Sequence, residues 1–202
     1  MGECVYCGEW RELTHDHVPP RSLFSKPRPS DLITVPSCRP CNGGASKDDE
    51  YFRLMIQLGI DRERFPKENS NSVDAINKLA KPQRLRFASY LLDRYRPNPS
   101  RFEVARVRVG SVLCRIARGL FYHHTAMRLP ENVPFQFVSI GDQPRVAAAL
   151  SGEIDSLAKS MQAIGGGVFR YGFAQGAPPD PFVTEWLVSF YDHRKFFCVT
   201  SP

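Results

Sequence analysis

Two cysteine pairs constrain this chain more than anything else in it. Cys4-Val5-Tyr6-Cys7 and Cys38-Arg39-Pro40-Cys41 both lie in residues 1–50 of a 202-residue chain. That stretch is rich in Cys, His, Pro and Gly and has little apolar periodicity, so it cannot build a hydrophobic core of its own. Two C-x-x-C pairs bring four thiolates together, the donor set of a closed tetrahedral zinc site. Such an ion is structural, its binding energy standing in for the missing core. The 30 residues between Cys7 and Cys38 exceed the spacing of a zinc ribbon, so an insertion should separate the two knuckles. A redox C-x-x-C motif would need a βαβ setting and would not explain two pairs. Cys114 and Cys198 lack partners at ligand spacing and read as small buried hydrophobes.

The insertion contains Thr14-His15-Asp16-His17-Val18-Pro19-Pro20. A carboxylate can hold a hard divalent ion through oxygen. An adjacent histidine, titrating near neutrality, can take a proton from an attacking water. Asn42 directly follows Cys41, so an ion on the cysteines would pin it in space, and its side-chain carbonyl offers a second oxygen ligand.

The sequence of motifs, C-x-x-C, then D-H-V-x-P, then C-x-x-C-N, resembles the HNH endonucleases (the ββα-metal or His-Me finger family), most closely the endonuclease VII type. The resemblance covers residues 4–53, about a quarter of the chain. It implies His17 as general base, Asp16 and Asn42 as ligands of one catalytic Mg²⁺ or Mn²⁺, and Cys4, Cys7, Cys38 and Cys41 as the ligands of a structural Zn²⁺. It also implies cleavage to 3′-hydroxyl and 5′-phosphate ends. Asn42 stands where the common motif has its last histidine, which favours a hard metal at the catalytic position. The family's middle asparagine, which orients the catalytic histidine, has its nearest counterpart in Asp31, a carboxylate able to accept a hydrogen bond from the imidazole. In a regular strand Asp16 and His17 would point to opposite faces, so their joint use needs the strand to bend, as Pro19 and Pro20 permit.

Charge adds a second line of argument. The net charge is +6, but residues 1–60 hold 7 Lys/Arg against 8 Asp/Glu, residues 61–130 hold 15 against 6, and residues 131–202 hold 5 against 7. Twelve of the fifteen cations in the middle segment are arginine, whose planar fork matches phosphate oxygens. The segment reads as the footprint of a polyanion or, equally, as a solubilising surface. Nucleic-acid contacts are expected from His15, Arg21, Arg39, Lys47, Arg53, Arg84 and Arg86. The expected activity is metal-dependent hydrolysis of DNA phosphodiesters, double-stranded DNA being the favoured partner. The alternative is a non-catalytic zinc module that binds nucleic acid or a protein.

The expected fold class is α+β. Residues 1–60 form a zinc-stapled ββα-metal module, residues 61–130 a basic and mainly helical segment in contact with nucleic acid, and residues 131–202 an α+β tail with a small antiparallel sheet. The tail could be a specificity element, a homodimer surface or a fold-completing sheet. Residues 48–58 should be helical, with Phe52, Met55, Ile56 and Gly59 on one side. Residues 61–72 read as a linker, Ser72 as the cap of a short helix through Ala80, and Pro82 as the first position of a helix that Pro97 and Pro99 end. Phe102–Val109 alternates like a strand, Ser111–His124 should be a helix, and Val133–Ile140 alternates again. Pro144–Ala163 should be one helix, followed by strands at Val168–Phe173, Val183–Tyr191 and Lys195–Thr200, with Asp192-His193 turning between the last two. The apolar runs Val146–Leu150 and Phe196–Val199 are far shorter than the roughly 20 residues a membrane helix needs. Met1-Gly2-Glu3-Cys4 begins no secretory signal. A cytoplasmic protein without membrane contact is therefore expected.

Overall fold

The computed structural model describes every residue except Gly59, Asn98, Pro99, Pro178 and Pro202, and only the backbone of Ser72, Arg96, Pro97, Ser100, Arg101 and Phe102. The expectations placed on Gly59 and Pro99 therefore lie outside the described residues. The chain opens with a short antiparallel pair, Gly2–Glu3 (β1) against Trp10–Arg11 (β2). The first cysteine pair occupies the turn between them, closed by the Gly8 N–H donating to Cys4 O at 2.9 Å. Gly8 has φ +73°, a left-handed conformation that glycine adopts at no steric cost. Leu13–Val18 (β3) then pairs antiparallel with Ile33–Cys38 (β4), in a register that sets Asp16 across from Val35 and His17 across from Thr34. β4 runs straight into Arg39–Gly44 (α1), with Pro40 in its first turn, and Ser46–Gln57 (α2) follows. A hairpin followed by helices is thus the local architecture of residues 13–57.

Two further helices come next, Pro66–Lys78 (α3) and, after a 3-10 turn at Pro82–Arg84, Leu85–Leu92 (α4). Tyr95–Pro97 (β5) pairs with Ser100–Phe102 (β6). The longest helix is Arg106–Thr125 (α5), ended by Ala126 in the left-handed region. The remainder is Phe135–Ser139 (β7), Pro144–Ala149 (α6), Ser151–Lys159 (α7), Gln162–Ile164 (β8), Phe169–Gln175 (β9), Thr184–Phe190 (β10) and Arg194–Thr200 (β11). The five strands form one antiparallel sheet in the order β7-β11-β10-β9-β8. The protein is mixed α+β, and among the described residues no helix is long and apolar enough to cross a membrane.

α5 organises the packing. Val109, Val112, Leu113, Ile116, Ala117, Leu120 and Phe121 recur at helical spacing and are buried. The helix lies against β3 so closely that a Cβ on Gly119 would stand 2.5 Å from Val18 Cγ2. Buried residues from all three thirds of the chain, from Cys4 through Leu113 to Cys198, belong to one continuous apolar cluster. The coreless N-terminal stretch therefore leans on a core supplied from elsewhere, in addition to its cysteines.

Several local expectations are corrected. Residues 61–72 are not a linker: α3 starts at Pro66, placed in the first turn where its missing N–H costs nothing, and Ser72 lies inside the helix rather than capping it. Phe102–Val109 is not a strand. β6 ends at Phe102 and α5 begins at Arg106, because the alternation of arginine and valine is also compatible with a helix that buries only Val109. Pro144–Ala163 breaks at Leu150 into α6 and α7, and Gln162–Ile164 joins the sheet as its edge strand. α4 stops at Leu92, short of the expected end at Pro97, and Leu91 is buried while Leu85 and Leu92 are exposed. The helix expected over 48–58 forms as Ser46–Gln57, the one expected over Ser111–His124 lies inside the longer Arg106–Thr125, and the tail strands form. The last hairpin turns over Tyr191–His193, one residue earlier than Asp192-His193, with Tyr191 and Asp192 both at φ 53°.

Candidate functional site

The four cysteines of the two pairs come together. Cys4 and Cys7 arrive on the β1–β2 turn, Cys38 at the end of β4 and Cys41 in α1, and their sulfurs all lie within 4.8 Å of one another. Zn–S bonds of about 2.3 Å in a tetrahedron require sulfurs about 3.8 Å apart, and Cys7 Sγ and Cys38 Sγ are 3.8 Å apart. All six cysteines are free thiols. Burial raises the Cys4 thiol, but the backbone groups of Cys7, Cys38 and Tyr6 outweigh it and bring Cys4 down to about 6. Burial and the neighbouring thiols of Cys38 and Cys7 push Cys41 up. Four sulfurs this close shed their protons together only around a cation, and the cluster could hold a zinc ion.

Asp16, His17 and Asn42 all line one groove, although along β3 Asp16 is buried on the side of Val18 and His17 alternates to the other. Asn42 sits on α1 and reaches back to β3: its Nδ2 donates to Thr14 Oγ1 at 2.9 Å and to His15 O at 3.3 Å. Both of those bonds use the amide nitrogen, so the carboxamide oxygen is not engaged by them. Asp16 is buried, with Oδ1 accepting the His17 N–H at 2.9 Å and Oδ2 without a hydrogen-bond partner. His17 is half-buried, and its imidazole is pulled below its ordinary pKa by burial first and then by Arg21, with Asp16 opposing. It is therefore held in the neutral form that can accept a proton.

The sequence pattern does not foresee what lies behind Asp16. Arg115 of α5 places Nε 3.6 Å from Asp16 Oδ2, while its Nη2 donates to both oxygens of Asp49 at 2.8 Å. Burial raises the Asp49 carboxyl against the pull of Arg115. Tyr6, between the first two cysteines, is buried beside the same group; burial and then the Asp16 charge push its phenol up. Its only signal in the sequence is its place inside a cysteine pair.

His15, Asp16, His17, Asn42 and Asp49 line a groove of about 1190 Å³ together with Arg21, Arg53 and Arg84. Lys26, Arg28, Lys67, Lys78 and Lys81 line it too, so cations outnumber the acids Asp16, Asp49, Glu50 and Asp74. Arg39, Lys47 and Arg86 are exposed outside that lining. Arg39 approaches Glu12 at 3.8 Å, and Lys47 lends its carbonyl to Arg108. Asp31 is not brought to His17: its Oδ2 accepts the Gly165 N–H at 3.0 Å, in a smaller depression lined also by His123 and Tyr171. The basic segment is less free than its charge suggests. Arg84, Arg108, Arg115 and Arg128 pair with Glu50, Asp48, Asp49 and Glu3, binding the middle of the chain to its N-terminal third.

No family model matches the chain, and no curated protein and no solved structure matches it either.

Proposed function

We propose that this protein is a metal-dependent endonuclease of the HNH type that hydrolyses DNA phosphodiester bonds. One observation carries the reading. A half-buried imidazole, a buried carboxylate ion-paired to Arg115 and a carboxamide line one cationic groove beside a hairpin whose strand and helix junction is gathered by four thiols. His17 would take the proton of a water placed in line with the scissile bond. Asp16 Oδ2 and the Asn42 carbonyl are hard oxygen donors suited to Mg²⁺ or Mn²⁺. Such an ion would neutralise charge on the phosphoryl and leaving oxygens. The cations of the groove would hold the phosphate backbone and read no bases.

The test is nicking of supercoiled plasmid in Mg²⁺ or Mn²⁺. Nicking should stop with EDTA, and His17→Ala should lower the rate by 10²-fold or more, the scale of a lost general base, while keeping the metal on the cysteines and the fold. Wild-type cleavage by His17→Ala would end the assignment.

A second reading has one specific observation in its favour. Asp16 already neighbours a guanidinium, as a carboxylate serving only structure would. A zinc-stapled module that binds nucleic acid or a protein without cutting fits that pairing, and it predicts no nicking under any metal.

A further inference from the structure

The loop between β3 and β4 brings three exposed cations, Arg21, Lys26 and Arg28, to the groove that holds His17. Exposed cations on a surface loop are ordinarily a solvated, mobile face. This loop is held differently. Leu23, Phe24 and Ser25, at its centre, are buried. The Tyr191 hydroxyl, at the end of β10, donates to Leu23 O at 2.6 Å, and Gln57 Nε2 donates to that hydroxyl at 2.9 Å. The Phe24 ring covers Gly165, where a Cβ would come within 2.4 Å of the ring. From α3, Asn71 Nδ2 donates to Ser25 Oγ at 2.8 Å and Glu68 Oε1 accepts the Ser25 N–H at 3.4 Å. Arg28 Nε donates to Arg21 O at 3.3 Å and ties the two ends of the loop together. Anchors from α2, α3 and the C-terminal sheet thus converge on a loop that presents Arg21, Lys26 and Arg28 to the groove.

We infer that this anchored loop is a phosphate-backbone subsite. Arg21 and Arg28 engage the oxygens of a phosphodiester adjacent to the position His17 faces, and Lys26 continues along the same strand. A guanidinium fork suits phosphate oxygens, and a loop already ordered loses little entropy when it binds. Lys67, Lys78 and Lys81 line the same groove from the α3 side, so the ligand is a polyanion that meets cations on both walls. Phe24 is the one phenylalanine, tyrosine or tryptophan of the lining, and it is buried. The exposed ring there is the His15 imidazole, and eight cations surround it, so contact is chiefly with the phosphate backbone. The identity of the polymer as DNA rests on the endonuclease reading; the anion-binding loop does not.

The experiment uses the full-length, zinc-loaded chain carrying His17→Ala, so that a fluorescein-labelled DNA duplex survives the titration, and reads anisotropy across a salt series. Adding Arg21→Ala and Arg28→Ala should weaken binding about tenfold and lower the slope of log K against log salt by about two, one for each lost phosphate contact. Arg145→Ala, which removes an exposed arginine of α6 outside the groove, should change neither. Tyr191→Phe keeps the ring but loses the bond to Leu23 O, and should weaken binding by a smaller factor with the salt slope unchanged. Wild-type affinity and slope in the loop variant, or a loss no larger than that of Arg145→Ala, would overturn the inference. If the loop variant loses DNA but the wild-type chain never nicks plasmid, the endonuclease reading falls and the subsite stands. If the wild type nicks and the loop variant binds normally, the reverse holds.

Discussion

Arg115 does work at the residue scale that no motif announces. Its side chain is 11% exposed and lies between Asp16, 8% exposed, and Asp49, 18% exposed. Removing one partner of so buried a group leaves carboxylates without compensation, a cost of about 3 kcal/mol or more. Arg115→Met, which keeps the packing of the stem, should therefore destabilise the fold by about that amount at neutral pH in urea denaturation. The sign of its pH dependence follows from Asp49. A carboxyl raised in the fold binds its proton more tightly folded than unfolded, so stability falls as pH rises through the carboxylate range. With Arg115 gone, nothing opposes that rise at Asp49. The deficit of Arg115→Met should then be largest at neutral pH and shrink as the pH is lowered into the range where Asp49 protonates. A deficit that does not change with pH would mean that the lost term is packing. The four cysteines can be picked out of the sequence because their type and spacing mark a metal-ligand cluster, and Asp16, His17 and Asn42 stand out as candidates by the same local pattern. Arg115 and Asp49 cannot, since a helical arginine or aspartate looks the same facing water or facing a buried partner.

At the level of elements, α5 decides where β3 stands. Val18 meets α5 at Gly119, where a Cβ would approach Val18 Cγ2 to 2.5 Å. Alanine is the better helix former by about 1 kcal/mol, but overpacking against a stiff β-branched side chain costs about 1–3 kcal/mol. Gly119→Ala should come out destabilising by about 1 kcal/mol in chemical denaturation, and Val18→Ala in the same chain should recover part of the loss by making room. Equal stability of Gly119→Ala and wild type would show that β3 yields to the helix. The same helix explains why Phe102–Val109 misleads. Strand-like alternation of arginine and valine is also what the first turn of a helix shows when its arginines hydrogen-bond to neighbours. Arg106 reaches Phe137 O, and Arg108 reaches Asp48. Pro66 misleads for the opposite reason, since a proline can open a helix as readily as it breaks one.

The whole molecule joins the cysteine cluster to the distant sheet through one core. Cys4, Val35 and Cys38 share an apolar cluster with Leu113, Trp186 and Phe190. Stripping metal from the four cysteines with a strong chelator, or replacing Cys38 by Ala, should lower the midpoint of a single thermal transition followed by circular dichroism, and elemental analysis should show one zinc per chain lost. Two separate transitions would mean that the N-terminal third folds on its own. The sequence alone determined that Cys4, Cys7, Cys38 and Cys41 form a cluster that could hold a metal ion, because ligand spacing is local. It also determined most helices and the tail strands, whose periodicity is likewise a near-neighbour property. Only tertiary structure decided that Asp31 serves Gly165 rather than His17, that arginines of the basic segment bind acids of the N-terminal third, and that α3 and Tyr191 brace the Arg21–Arg28 loop. Each of those facts is a pairing between residues far apart in the chain, fixed by which surfaces the core brings together and invisible to any local pattern.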